Sequence, residues 1–160
     1  MKFIESKENS LIKKFRSLSV KKYREQFSLF KIEGEKVVLE SLKIDGVVEN
    51  VLIDADYIAN YNNIIEKYSD KVLAIKHEIF EKLSETVVPQ HIMAICNMKK
   101  HKINIASISK LLVLDRLQDP GNLGTIIRSA VASGFYDIVL IDSVDPYNDK
   151  TLRSASGTIF

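Results

Sequence analysis

The apolar positions at the start of the chain recur at a helical spacing. Leu11, Ile12, Phe15 and Leu18 fall at i, i+1, i+4 and i+7, which predicts an amphipathic helix over Asn9 to Leu18. Lys13, Lys14 and Arg16 point away from that stripe, and a second basic turn follows at Lys21 to Arg24. Beyond it, short apolar runs alternate with helical stretches. Strands are predicted at Phe27 to Ile32, Val47 to Ile53, Val72 to Ile75 and Ile92 to Cys96. Helices are predicted from Gly34 to about Leu42, from Ala55 to Tyr68 and from Glu78 to Leu83, with Gly46 as a breaker. This alternation predicts an α/β layer. The polar, basic stretch Lys99 to Asn104, with His101 in it, reads as a linker. Two domains follow from it, 1–100 and 101–160.

The second domain has the sharper pattern. Leu111 to Leu114 reads as a strand ending at Asp115, followed by the turn formers Asp119-Pro120-Gly121-Asn122. A helix is predicted from about Leu123 to Ser133, closed by Gly134. Ile138 to Ile141 is the next strand, and Asp142 to Asp149 a polar loop. Strand, helix and strand with short connections predict a parallel βαβ unit. On its helix, Leu123, Ile126, Ile127, Ala130 and Val131 form the apolar stripe, while Thr125, Arg128 and Ala132 face the other way. Arg128 therefore projects from a helix that begins at the carboxyl end of a parallel strand, where ligands of open α/β sheets gather.

Composition narrows the function classes. Hydrophobic residues make up 46% of the 160 and charged residues 28%, enough apolar material for a packed core. The net charge of +2 conceals an asymmetry: residues 1–31 hold nine Lys or Arg against three Glu. That excess suggests a polyanionic partner, RNA or DNA before anionic lipid, with a solvated helix face as the plain alternative. The N-terminal residues lack the apolar core of a signal peptide, and no apolar run is long enough to span a bilayer. Cys96 is the one cysteine, so no internal disulfide forms, as suits a reducing cytoplasm.

Candidate chemistry centres on Asp115 to Phe135. Gly121 and Gly124 give G-x-x-G, neither the dinucleotide fingerprint nor a P-loop with its lysine. Asn122 is open to two readings, a helix N-cap or a ligand-facing amide. Arg128 is likewise open to a surface or a functional role. Three histidines and one cysteine lie scattered without metal-ligand spacing, so no metal site is assigned. His91 reads as a loop histidine and Cys96 as a core residue.

The stretch DRLQDPGNLGTIIRSAVASGF resembles the first signature motif of the SpoU/TrmH branch of the SPOUT RNA methyltransferases. In those enzymes a D-P-x-N-x-G turn precedes a helix bearing an arginine, supplied here by Asp119, Pro120, Asn122, Gly124 and Arg128. The run Asp145-Pro146-Tyr147, Lys150, Arg153, Ser154, Ser156 and Gly157 resembles the segment leading to the second motif, with Ser156 where a bulky residue is usual. Ser6, Asn9, the lysine-rich helix, Phe30 to Gly34, Leu83 to Thr86 and Pro89-Gln90 resemble the N-terminal RNA-binding domain of the family. His91 stands where glycine commonly follows that Pro-Gln pair.

The resemblance implies a small α/β RNA-binding domain followed by the opening βαβ part of a SPOUT, or trefoil-knot, methyltransferase domain. It implies methyl transfer from S-adenosylmethionine to a ribose 2′-hydroxyl of rRNA or tRNA, in a cytoplasmic homodimer. It places Arg128 at the reacting hydroxyl, with Asn122 orienting it or the RNA. Lys13, Lys14, Lys21, Lys22, Arg24 and Arg153 are the expected phosphate ligands. The second and third family motifs, which build the donor pocket, do not occur in the sequence, so the pocket is expected beyond Phe160 and the chain alone is expected to be inactive. The alternatives are a non-catalytic RNA-binding module of the same descent and an α/β interaction protein without a nucleic-acid partner.

Overall fold

The computed structural model describes residues 1–86, 88–98 and 107–160, and its contacts divide the chain into two compact units, Met1–Met98 and Lys99–Phe160. The linker expected over Lys99 to Asn104, with His101, lies outside the described residues.

The first unit is a five-stranded mixed sheet between helical layers. Its elements are β1 (Lys2–Ile4), α1 (Ser10–Ser17), α2 (Lys21–Phe27), β2 (Leu29–Glu33), α3 (Glu35–Leu42), β3 (Val48–Asp54), a 3-10 helix (Ala55–Tyr61), α4 (Asn62–Lys67), β4 (Val72–Ile75), α5 (His77–Glu81) and β5 (Ile92–Asn97). The strand order is β1-β4-β3-β5-β2. The β1, β3 and β4 strands run parallel, and β5 lies antiparallel between β3 and β2.

The alternation of side chains along a strand divides the sheet into two apolar faces. On one, Leu29, Leu52, Leu73, Ile75, Met93 and Ile95 meet Ile12, Phe15 and Leu18 of the α1 region and Ile79 and Phe80 of α5. Each such fully buried side chain contributes about 1.5–3 kcal/mol. The helical spacing of Ile12 and Phe15 is what seats α1 on this face, and the Asn9 side chain caps the helix by accepting from the Leu11 N–H.

Three elements differ from the periodicity-based expectation. The edge strand β1 was not expected, because three residues are too short for any period to register. The basic turn at Lys21 to Arg24 is a full helix, α2, running to Phe27 and closed by Ser28 at φ +53°. The helix expected over 55–68 is split into a 3-10 turn and a short α-helix, with Asp54 capping the first by accepting from the Asp56 N–H.

The second unit comprises β6 (Leu111–Asp115), α6 (Pro120–Ala132), β7 (Asp137–Ile141) and α7 (Asp149–Ala155). The two strands pair in parallel, Leu112 opposite Ile138 and Leu114 opposite Leu140. Leu114, Ile138 and Leu140 pack with Leu123 and Ile127 of α6 and Ala155 of α7 into one apolar cluster. The other sheet face leaves Leu111, Val113 and Ile141 exposed.

Candidate functional site

In the second unit the D-P-G-N segment is the first turn of α6 rather than a turn before it. Asp119 is the N-cap: its Oδ1 accepts from the Asn122 N–H at 2.7 Å, and Pro120 opens the helix where its missing N–H costs nothing. Asn122 is thus not the cap, which sets the N-cap reading aside. It sits in the first helical turn with its side chain exposed. Lys150 of α7 reaches back to Asp119 Oδ2 at 3.3 Å. The Asp119 carboxyl is held below the usual carboxylate range, first by the Asn122 N–H against a smaller burial cost, with Lys150 adding to the effect.

Gly124 sets the distance between the two helices. A Cβ there would lie 2.4 Å from the Thr151 carbonyl oxygen and 2.5 Å from Ser154 Cβ, so only glycine admits α7 this close. Arg128 stands one turn beyond Gly124 on the same side of α6, exposed to solvent. Asn122 and Arg128 share the helix but not a face: helical geometry separates them by roughly 120° around the axis and about 9 Å along it. Arg153 is exposed on α7.

The loops leaving the two strands are tied together at their carboxyl ends. The Arg116 N–H donates to the Ile141 carbonyl at 2.9 Å, the Val144 N–H to that of Leu117 at 2.8 Å, and the Gln118 side chain to that of Asp142 at 2.8 Å. Ser143 Oγ accepts from the Leu117 N–H. Arg116 and Asp142 both adopt left-handed backbone to make this closure. A fixed edge of this kind holds the start of α6 at the strand ends, where Asn122 emerges, with Arg128 in the third turn of the helix.

In the first unit, α1 and α2 present the basic surface. Lys13, Lys21 and Lys22 are exposed and Lys14 half-buried. Lys13 pairs with Glu8, Lys14 with Glu49 at 3.6 Å, and Lys21 with Glu25. Arg24 does not belong with them. It is 3% exposed, and its guanidinium donates to the Leu18 carbonyl at 2.7 Å, satisfying the end of α1. The reading of Arg24 as a surface phosphate ligand is corrected accordingly. Sequence reasoning missed two aromatic residues here. Tyr23 and Phe27 are exposed and stack on one another, centroids 6.3 Å apart, with the Lys14 ammonium 5.9 Å from the Phe27 ring. Their i, i+4 spacing inside a basic segment was the available signal, hidden once Phe27 was assigned to a strand.

A second convergence joins residues far apart in sequence. The Glu33 carboxylate accepts from Ser84 Oγ, from Thr86 Oγ1 at 2.8 Å and from the Glu85 N–H at 3.1 Å. Glu85 in turn pairs with Lys31, whose ammonium lies over the Phe15 ring. The Gln90 side chain accepts from the Glu35 N–H at 2.9 Å, packed against Gly34 at φ +115°. The Glu33-Gly34, Ser84-Glu85-Thr86 and Pro89-Gln90 segments are therefore one hydrogen-bonded structure that fixes the loop between α5 and β5.

A parallel βαβ unit with an Asn in the first turn of its helix and an Arg further along it, carried on a chain with a separate mixed-sheet unit, defines an α/β protein of two units. Residues 9–94 match the family described as MRM3-like substrate binding domain, and residues 109–160 match the SpoU rRNA Methylase family. The chain belongs to the family of MRM3-like substrate binding domains, which matches more than half of it, and carries a SpoU rRNA Methylase segment in residues 109–160.

It is 40% identical over 163 residues to the 23S rRNA (guanosine(2553)-2'-O)-methyltransferase RlmP of Bacillus subtilis, covering 100% of this chain and 63% of that protein. It is 30% identical to the human mitochondrial rRNA methyltransferase 3 over 86% of this chain and 35% of that one. An rRNA methyltransferase from Sinorhizobium meliloti has the same architecture, with a TM-score of 0.83 at 27% identity over 99% of this chain and 62% of the other. The AdoMet-bound form of the Sinorhizobium enzyme gives 0.80 at 28% identity, covering 99% of this chain and 61% of that one. The chain thus spans about three fifths of the length of the bacterial relatives and about a third of the human one.

The described residues do not by themselves fit S-adenosylmethionine. The cleft of about 450 Å³ in the second unit is lined by Leu111, Ile127, Val131, Ile138 and Leu140 with Tyr136, Asp137 and Tyr147. It offers no cation to the donor's carboxylate, so no chemical step is routed through the donor below. Among the described residues no helix is long and apolar enough to cross a membrane.

Proposed function

We propose that this chain is the RNA-recognition part, residues 1–100, and the opening of the catalytic domain, residues 101–160, of an enzyme that methylates a ribose 2′-hydroxyl of ribosomal or transfer RNA. S-adenosylmethionine supplies the methyl group, and the working enzyme is a cytoplasmic homodimer. The observation that carries this reading is the start of α6, with Asp119 as the cap, Asn122 in the first turn and Arg128 exposed beside the α7 crossing.

The chemistry follows from what these residues can do. A ribose hydroxyl attacks poorly until its proton leaves or its developing charge is met. Arg128 is not assigned as a base, because a guanidinium holds its proton in water. Its planar fork instead stabilises the incipient alkoxide or clamps the adjacent phosphate, and Asn122 orients the RNA backbone. Arg153 on α7 adds a phosphate contact. In the first unit Lys13, Lys14, Lys21 and Lys22 meet phosphates, while Tyr23 and Phe27 offer faces on which unpaired bases stack.

Fluorescence anisotropy of a structured rRNA fragment titrated with this chain tests the RNA half of the reading. Affinity is expected to fall steeply with salt, and Lys13→Ala with Lys22→Ala to flatten that slope by about one to two. Salt-independent binding, or none at low salt, would favour an α/β interaction protein.

A further inference from the structure

Asp54, at the end of β3, is 0% exposed, and its Oδ2 is shared by two histidines from distant segments. His77 Nδ1, at the start of α5, lies 2.8 Å from it, and His91 Nδ1, just before β5, lies 2.9 Å from it. Two imidazole nitrogens thus meet one buried carboxylate oxygen, and both rings are partly exposed. The compact ligand set is Asp54, Asp56 and His77: one carboxylate oxygen from each aspartate and a ring nitrogen of His77 lie within 4.8 Å of one another.

The surroundings hold these ligands in place. The Asp56 N–H donates to Asp54 Oδ1 at 3.2 Å. Tyr57 stacks on the His91 ring, centroids 3.4 Å apart and planes 8° from parallel. Glu81 Oε1 stands 3.6 Å from His77 Nε2. His91 keeps this position at φ +56°, a left-handed backbone that a residue with a side chain adopts only at a cost.

We propose that Asp54, Asp56 and His77 form a binding site for a divalent transition metal of the zinc class, with His91 holding the Asp54 carboxylate in place through its hydrogen bond. Metal–nitrogen and metal–oxygen bonds of about 2.0–2.2 Å place neighbouring ligands roughly 2.9–3.4 Å apart, close to the N···O separations already present. An imidazole beside two carboxylates suits Zn²⁺, Co²⁺ or Ni²⁺ better than the oxygen-seeking Mg²⁺ or Ca²⁺. Binding moves the ring proton of a neutral His77 from Nδ1 to Nε2 and frees the Nδ1 lone pair for the metal. That Nε2–H faces Glu81, the carboxylate–histidine–metal relay that orients ligating imidazoles. The ion would tie the end of β3, the 3-10 helix and the start of α5 together.

The test uses the untagged 160-residue chain, stripped with chelator and titrated with Co²⁺ and then Zn²⁺, following the visible Co²⁺ absorption and the melting temperature. One ion per chain is expected, with absorption typical of mixed nitrogen and oxygen ligation and a raised melting temperature. His77→Ala is expected to abolish the signal; Glu81→Gln weakens binding by about tenfold or more. Lack of binding by the wild-type chain would overturn the proposal. So would binding that survives in His77→Ala, which would put the ion elsewhere.

Discussion

At the scale of single residues, Arg128 and Arg24 show how little the residue type alone decides. Both are arginines in or beside helices of a basic chain. Arg128 faces solvent beside a helix crossing, and Arg24 is buried against a backbone carbonyl. The difference could not be read from spacing, because Arg24 is drawn inward by the unsatisfied end of α1 rather than by any apolar stripe. For Arg128 the expectation is kinetic. In an active enzyme containing this segment, Arg128→Lys lowers the methyl-transfer rate by about 10²–10³-fold, the usual cost of losing one group that meets developing charge. The melting temperature stays unchanged, since the side chain is exposed. A variant with wild-type rate would remove Arg128 from the mechanism. Cys96 belongs to the same scale. Burial pushes its thiol up to about 12 despite a hydrogen bond with Ser41, which fits the core role read from its apolar strand.

At the scale of elements, the α6–α7 pair carries the proposed site. Gly124→Ala would drive a methyl group into the Thr151 carbonyl, and the helices must part to admit it. A loss of about 1–3 kcal/mol is expected in the stability of the second unit, measured as a shift of its urea midpoint. An unshifted midpoint would mean that the helices are not in this contact. Asp119 gives a pH-dependent counterpart. Its carboxyl is held below the usual range, so its stabilisation is complete above the pKa of the unfolded chain and is lost as pH falls through the lower, folded-state value. Asp119→Ala therefore lowers the melting temperature at neutral pH, and the gap to wild type closes in strong acid. A gap that persists there would assign the effect to packing.

The strands and helices with clear periods were legible in the sequence, including β4 residue for residue and the parallel pairing of β6 with β7. What escaped had no period to show. The β1 strand is three residues long, and the start of α6 is set by a cap and a proline that also read as a turn.

At the scale of the whole molecule, the sequence carried the family through short segments whose meaning becomes physical once folded. Glu33, Ser84 and Thr86 looked like isolated matches, and they prove to be hydrogen-bond partners, while Gln90 bonds the Glu35 N–H two residues beyond Glu33. The His77–Asp54–His91 cluster was illegible for the same reason. Its members lie 23 and 37 positions apart from Asp54, and only the order of strands in the sheet brings them together. Two compact units divide the proposed work, a basic and aromatic surface in the first and the Asn122–Arg128 helix in the second.

The most direct test of that account joins this chain to the C-terminal segment of the Bacillus subtilis relative and supplies unmethylated ribosomal RNA with methyl-labelled S-adenosylmethionine. The label is then located after alkaline hydrolysis. A methylated 2′-oxygen cannot attack the neighbouring phosphate, so the account predicts label in alkali-resistant dinucleotides, and its loss in Arg128→Lys. Label recovered in ordinary mononucleotides would mean base methylation. No transfer by a folded chimera, under conditions where the relative's own protein is active, would contradict the assignment of the catalytic opening to this chain.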